Sequence, residues 1–458
     1  MSQRVASPTV ELENPVADSL PVVADPAVSP ARRAHPGKLF VESTTHCNLG
    51  CFMCVKQTAG CGMTEGEMAP DLFATLEPAF PHLEALVLNG VGEPLLNPGL
   101  EQFIARARRS MPASGWIGFQ SNGLLLDNSR ARSLVNAGLD KICLSIDAAS
   151  PETFRRLREG GELLAIDRAF SALSAARKEC QRPELQVGIE FVLMNSNIRE
   201  LPAALAWAAD HGASFAIVTH VLPYAEQHGD EAVYVNCTDE AIALFDVYQA
   251  KARREEIELS RYFEVRWKYS RSPAEQRIVD LVDDLKSEAK ERDIFLDLKK
   301  LFRLDLGRIE ELEGVFAQAE AIARARGVEL RLPELALREK RRCSFVEEGG
   351  AFVSWDGNVS PCYFLWHRYS CFASGWLQEV QPKVFGNLAQ RGILDIWNDT
   401  AFRSFRENVL AYDYPNCSGC GLAPCDYIQT EEFRQDCHIK DVPCGACLWC
   451  MGVFQCLR

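Results

Sequence analysis

The chain has 458 residues, 47% hydrophobic and 24% charged, a balance ordinary for a water-soluble protein and enough length for two or three domains. Its net charge of −14 argues against a nucleic-acid partner, whose phosphates call for a basic surface. No apolar run reaches the ~18 residues that suggest a membrane span, so no membrane partner is expected.

Residues 1–37 are rich in Pro, Ala, Val and Ser and lack the apolar core of an export signal, so they read as a disordered leader. Eighteen cysteines without such a signal, several at x2 spacing, favour metal ligation over a disulfide framework. Labile metal clusters need a reducing interior, which makes the cytoplasm the expected location.

A β-type run at residues 39–44 leads into Thr45-His46-Cys47-Asn48-Leu49-Gly50-Cys51-Phe52-Met53-Cys54. Three thiolates spaced x3 and then x2 fit one loop around an iron–sulfur cube and leave the fourth iron without a protein ligand. An open iron can bind a small molecule and pass it an electron, whereas a closed site takes four ligands. A second strand then ends in the turn Gly90-Val91-Gly92-Glu93-Pro94. A third ends in Ser121-Asn122-Gly123, and a fourth, 142–147, carries Ser145 and Asp147. A fifth spans 186–195 and a sixth 214–220, with helical stretches such as 130–137 and 165–178 between strands. This alternation predicts an α/β fold, a parallel sheet with right-handed crossovers closing into a partial (β/α)6 barrel. Each polar cluster falls at a strand's C-terminal end, where ligands bind in such folds. Glu190 reads as a solvent-facing strand residue and Cys143 as a buried core thiol.

In this order the motifs resemble the radical S-adenosylmethionine (SAM) enzymes. The resemblance implies that Cys47, Cys51 and Cys54 ligate a [4Fe–4S] cluster that binds SAM, with Met53 in the usual apolar slot. It implies that Gly90, Gly92, Glu93 and Pro94 form the turn that meets the methionyl amino group, the glycines letting carbonyls face it. It places Ser121 and Asn122 near the ribose, and Ser145 and Asp147 where family members contact SAM or substrate. Ser145 and Asp147 equally suit plain capping of strand ends.

From Cys343 onward come eleven more cysteines. Cys343 and Cys362 flank Gly357 in a C-x13-G-x4-C pattern. Asp356-Gly357 reads as the tip of a hairpin whose returning strand delivers Cys362. A spacer and a helix lead to Cys417, Cys420 and Cys425, then Cys437, Cys444, Cys447, Cys450 and Cys456. This region resembles the SPASM domain, the C-terminal extension of radical SAM enzymes that mature peptides and proteins, which carries one or two auxiliary [4Fe–4S] clusters. It departs from the family in an x4 spacing after Cys420, where x5 prevails, and in the long gap before Cys437. Without Cys371 there are ten candidate ligands, more than two four-ligand clusters need. Two auxiliary clusters are expected; three partly ligated clusters, or a zinc site in the tail, are the alternatives. Cys61, Cys180, Cys237 and Cys371 read as ordinary thiols, with Cys61 the readiest exception because it lies seven residues past the cluster loop, within reach of the active-site mouth.

The expected organisation is a leader (1–37), a barrel core (38–227), a helical insertion (228–308), a closing helix and strand (309–340) and a cysteine-rich domain (341–458). In the insertion Ile278, Leu281, Val282 and Leu285 recur at helical spacing. Such an insertion sits at the catalytic face and suits a lid or docking surface as well as plain decoration.

The resemblance implies reductive cleavage of SAM, with an electron from a donor such as flavodoxin or ferredoxin, to methionine and a 5′-deoxyadenosyl radical that takes hydrogen from an unactivated C–H bond. The protein holds the reacting atoms and excludes water. Auxiliary clusters imply a route for a second electron or a direct hold on the substrate. The first substrate expectation is a protein or peptide, as for a metalloenzyme maturase. A small-molecule dehydrogenase or cofactor-biosynthesis enzyme is the second. A non-catalytic electron carrier is the third, and the intact Gly92-Glu93-Pro94 turn argues against it.

Overall fold

The computed structural model describes residues 29–58, 61–373, 377–413, 444 and 447–458. Ten strands make one sheet: β1 (Lys38–Val41), β2 (Ala85–Val87), β3 (Trp116–Ser121), β4 (Lys141–Ser145), β5 (Gln186–Leu193), β6 (Phe215–His220), β7 (Glu329–Arg331), β8 (Gly350–Val353), β9 (Asn358–Ser360) and β10 (Gly386–Asn387). Their order is β7-β6-β5-β4-β3-β2-β1-β8-β9-β10. Pairs from β7 through β8 are parallel, and the last two pairs are antiparallel.

Parallel neighbours require crossovers, supplied by helices such as Leu100–Arg108, Asn128–Ala137, Leu163–Glu179 and Leu201–Asp210. Strands β2 and β6 are buried along their whole length, which explains why they read as unbroken apolar runs rather than alternating ones. Helix Asn128–Ala137 starts where the Asp127 carboxylate accepts the Arg130 N–H and stops at Gly138, whose φ of 107° admits few other residues. The closing helix begins at Leu306, three residues before the expected start, because Asp305 caps it. It returns the chain to pair β7 with β6, Glu329 opposite Phe215.

Two expected boundaries move. Residues 29–37, assigned to the leader, are packed: Ala31 is fully buried, its carbonyl accepts the Arg406 Nε–H at 3.0 Å, and the Arg33 carbonyl accepts the Trp397 indole N–H at 2.8 Å. Residues 1–28 lie outside the described part. The cysteine-rich domain is not a separate body either. Its first hairpin strand, β8, pairs in parallel with β1 from Lys38–Gly350 to Val41–Val353, so the barrel sheet continues into it.

The insertion forms helices Asp239–Arg254, Tyr262–Val265, Pro273–Glu291 and Leu298–Leu301 around its own core, which includes Leu244, Phe245, Tyr262, Leu281 and Leu285. A short parallel ladder, Val235–Thr238 with Ala336–Leu337, ties it to the segment after β7. Among the described residues no helix is long and apolar enough to cross a membrane.

Candidate active site

The strand ends surround a cavity of about 330 Å³, at the lower end of the ~300–1,000 Å³ usual for small-molecule sites. Cys47, Cys51 and Cys54 all line it. Their loop is stitched in place: Gly50–Cys51 pairs antiparallel with Arg158–Glu159, and the Phe52 N–H donates to the Leu157 carbonyl at 2.9 Å. Lys56 Nζ donates to the Thr45 carbonyl at 2.6 Å. Burial pushes the Cys51 thiol up, and the Arg158 guanidinium, with Nη1 3.9 Å from the sulfur, offsets part of that rise.

The glycine turn lies against the segment that launches this loop. A Cβ on Gly92 would come within 2.4 Å of the Thr44 carbonyl oxygen and 2.5 Å of that of His46. A Cβ on Gly90 would come within 2.2 Å of the Glu42 side chain. Only glycine fits either position without displacing its neighbours. The Glu93 N–H donates to the His46 carbonyl at 2.8 Å. The buried Glu93 carboxylate accepts from Ser121 Oγ at 2.8 Å, the Asn122 N–H at 2.7 Å and the Leu95 N–H at 3.1 Å. Burial raises its pKa against those donors. Glu93 thus braces the end of β2 to the end of β3, and Asn122 Nδ2 continues the brace to Asn48 in the cysteine loop at 2.7 Å.

Gly90, Gly92, Glu93, Ser121, Asn122 and Ser145 line the cavity; Pro94 and Asp147 do not. For Asp147 the expected SAM or substrate contact is corrected to a supporting role. Strand β4 ends at Ser145, so the alternation that would bring residue 147 to the same face is lost. The fully buried Asp147 carboxylate accepts the Val192 N–H at 2.7 Å and forms an ion pair with Arg158, Oδ2 to Nε 2.6 Å. Glu190 is also corrected. It sits opposite Ser145 in register and lines the cavity, where burial and then the Asp147 charge raise its pKa to about 7.

Sequence reading missed Arg158, which nothing in its run Arg155-Arg156-Leu157-Arg158 marks out. Arg158 is the one Lys or Arg among the described cavity-lining residues. Also missed were Asn89 and Gln120, bonded to each other beneath the glycine turn, with the Gln120 N–H 2.6 Å from Asn89 Oδ1. The wall formed by Tyr224, Tyr363, Trp366, Trp449 and Phe454 was equally unforeseen.

Cys343, Cys362, Cys444, Cys447 and Cys450 line a second, tighter cavity, and Trp449 borders both. Cys450 shares hydrogen bonds with Cys343 and Cys447, which raises its own thiol pKa and lowers that of Cys447. Among the described residues no three His, Cys, Asp or Glu side chains gather around a single ion position. A cube instead takes each thiolate on a different iron. Cys456 stands apart from these five and lines the first cavity, where burial pushes its thiol up to about 12. Cys417, Cys420, Cys425 and Cys437 lie outside the described residues. Cys61 and Cys371 line neither cavity. None of the described residues 228–308 lines the first cavity, although the His228 ring packs edge-on against Phe52 of the cysteine loop, with centroids 4.7 Å apart.

Fold and site together define a barrel enzyme built to hold an open iron–sulfur cluster beside a small-molecule pocket. Residues 41–208 match the family model of the radical SAM superfamily, and residues 343–421 match that of the SPASM iron–sulfur cluster-binding domain. The chain is a radical SAM enzyme with a C-terminal SPASM domain. A [4Fe–4S] cluster with SAM, and auxiliary iron–sulfur binding, come with these two domains. The soft thiol trio facing a pocket of polar strand ends fits that donor chemistry.

Among curated relatives, the "tungsten-containing aldehyde ferredoxin oxidoreductase cofactor-modifying protein" of Pyrococcus furiosus is 25% identical over 424 residues, covering 91% of this chain and 96% of that one. The GTP 3′,8-cyclase of Streptomyces coelicolor is 30% identical over 196 residues, covering 42% of this chain and 54% of that one. Among solved structures, Streptococcus suis SuiB bound to S-adenosylmethionine has a TM-score of 0.47 at 11% identity, covering 85% of this chain and 71% of that one.

Proposed function

We propose that the chain cleaves SAM reductively and abstracts hydrogen from a protein or peptide substrate as a metalloenzyme maturase. The observation that carries the chemistry is that Cys47, Cys51 and Cys54 share one cavity with the Gly90–Glu93 turn, Ser121, Asn122 and Ser145. Cys47, Cys51 and Cys54 would hold the iron–sulfur cluster, which would supply the electron for reductive cleavage of the SAM sulfonium bond.

The residues around it do the positioning. Glu93 holds the glycine turn and the Ser121–Asn122 strand end at a fixed spacing, where backbone carbonyls would meet the methionyl amino group and the polar strand end would meet the ribose. Arg158 is the cation that suits the SAM carboxylate, and Asp147 keeps it aimed at the Cys51 side of the cavity. The aromatic wall excludes water, which protects a radical from stray hydrogen donors. Four of the five cysteines of the second cavity would hold an auxiliary cluster, and Trp449 lines both cavities. A cytoplasmic flavodoxin or ferredoxin would supply the electrons.

Maturation is supported by the Pyrococcus furiosus relative, which is similar along nearly the whole of both chains and is named for modifying the cofactor of another enzyme. The same relative supports a second reading, in which the reacting group belongs to an organic cofactor rather than to the polypeptide, since its name speaks of modifying a cofactor.

The test is iron counting after anaerobic reconstitution. With Cys47, Cys51 and Cys54 all changed to Ala, the protein should keep C-terminal iron and lose SAM binding. Loss of all iron would contradict separate auxiliary sites, and retained SAM binding would contradict the assignment of the triplet.

A further inference from the structure

Glu93 holds the glycine turn from one side, and a second carboxyl holds it from the other. Glu42 directly follows β1, and its side chain is 0% exposed. Its own N–H donates to the Val353 carbonyl at 2.9 Å, so the β1–β8 ladder fixes where the side chain starts. The Val91 N–H donates to Glu42 Oε1 at 3.0 Å, and the Trp355 N–H donates to Oε2 at 3.4 Å. His367 Nε2 lies 3.1 Å from each oxygen. A carboxylate can only accept, so Nε2 carries the proton. Among the described residues His367 is the one side chain that hydrogen-bonds Glu42.

Gly90, Val91 and Gly92 line the first cavity; Glu42 and His367 do not. A peptide group is planar and, when trans, its N–H and C=O point in opposite directions. Holding the Val91 N–H against Glu42 therefore sets the direction of the Gly90 carbonyl, away from that carboxyl. Gly90 packs so close that a Cβ there would come within 2.2 Å of Glu42 Cγ. His367 belongs to the C-terminal domain, five residues after Cys362 of the second cavity. Its ring packs against Trp366 and Phe352, with centroids 5.1 and 6.1 Å away, which holds Nε2 on Glu42.

We propose that Glu42 and His367 are positioning residues for SAM, through which the C-terminal domain holds the glycine turn ready for the methionyl amino group. The proposal rests on the radical SAM reading of the cavity. Without the His367 donor a buried carboxyl is left underpaired, and its hold on Val91 loosens.

The experiment measures the SAM dissociation constant by equilibrium dialysis on the anaerobically reconstituted full chain, with amide hydrogen exchange at Val91 as a second readout. His367→Phe keeps a flat ring and removes the donor. It should weaken SAM binding about threefold to tenfold, the worth of one hydrogen bond. His367→Gln keeps an N–H donor and should stay within about twofold of the wild type. Glu42→Met should weaken SAM binding as His367→Phe does, and adding His367→Phe to it should weaken binding no further, because the acceptor is already gone. Exchange at Val91 should quicken in both single variants, while the Asn122 N–H, held by Glu93, stays slow. If His367→Phe alone loses the N-terminal iron, the double variant carries the test, since it leaves neither side chain unpaired. It should show the same weakened SAM binding and quickened exchange. Unchanged SAM affinity or unchanged exchange at Val91 in the iron-loaded variants would overturn the inference. Additive weakening in the Glu42→Met background, or a Gln variant as weak as the Phe variant, would overturn it too. Iron-loaded wild type that binds no SAM would overturn the radical SAM reading itself.

Discussion

Changing Asp147 to Asn removes the charge that neutralises Arg158 inside the barrel. The carboxylate is 0% exposed and the guanidinium 8%, with 2.6 Å between Oδ2 and Nε. Stripping one partner from a buried pair costs about 3–5 kcal/mol. Cys51, 3.9 Å from Nη1, offers Arg158 some compensation, which puts the expected loss at the lower end, about 3 kcal/mol. Anaerobic melting should fall by on the order of 5 °C. The double variant Asp147→Asn, Arg158→Met replaces the pair by neutral groups and should recover most of that loss, a coupling of about 2 kcal/mol or more. SAM affinity gives the sharper readout. Asp147 does not line the cavity, and its ion pair with Arg158 is its strongest link to a cavity-lining residue. Adding Asp147→Asn to Arg158→Met should therefore leave the SAM dissociation constant unchanged. Equal, additive weakening in both backgrounds would show that Asp147 acts on SAM independently of Arg158 and would refute this reasoning.

Gly92→Ala would push a methyl group into two backbone carbonyls, 2.4 and 2.5 Å away, and shift the segment that launches Cys47. Iron at the N-terminal loop and SAM binding should both fall; normal values for both would contradict the packing argument. Glu190→Gln tests the cavity carboxyl. Its folded pKa of about 7 lies above the ordinary value of 4.5, so the folded state holds the proton more tightly. This contribution is present below the ordinary value and is lost as pH rises through about 7, up to roughly 3 kcal/mol. The Gln variant lacks that loss, so its melting temperature should gain on the wild type between about pH 5 and 8. Parallel curves would contradict the assignment.

Much of this was legible in the sequence because the barrel strands are parallel and covered on both faces, leaving apolar runs punctuated by polar ends. The cysteine loop, the glycine turn and Ser121–Asn122 follow from such punctuation. Asp147 misled because its strand stops two residues early. Glu190 misled because a partial barrel has an inner face that polar residues share with ligands. Arg158 was illegible because the contact that ties it to the cysteine loop, with Cys51, spans 107 positions of the chain. The aromatic wall was hidden for the same reason: the Gln455 N–H reaches back 236 positions to Thr219 Oγ1, at 3.1 Å, and brings Trp449, Phe454 and Cys456 with it. Cys456 looked like one more tail ligand, since spacing along the chain does not report which cavity a thiol enters.

The central claim is that Cys47, Cys51 and Cys54 make this cavity a site of reductive SAM cleavage. The most direct measurement is 5′-deoxyadenosine formed from SAM by the reconstituted protein under dithionite, quantified by mass spectrometry. Formation by the wild type, and none by a triple Ala variant that still holds its C-terminal iron, is the predicted result. Iron-loaded wild type that forms none, or a triple variant that forms as much, would contradict it.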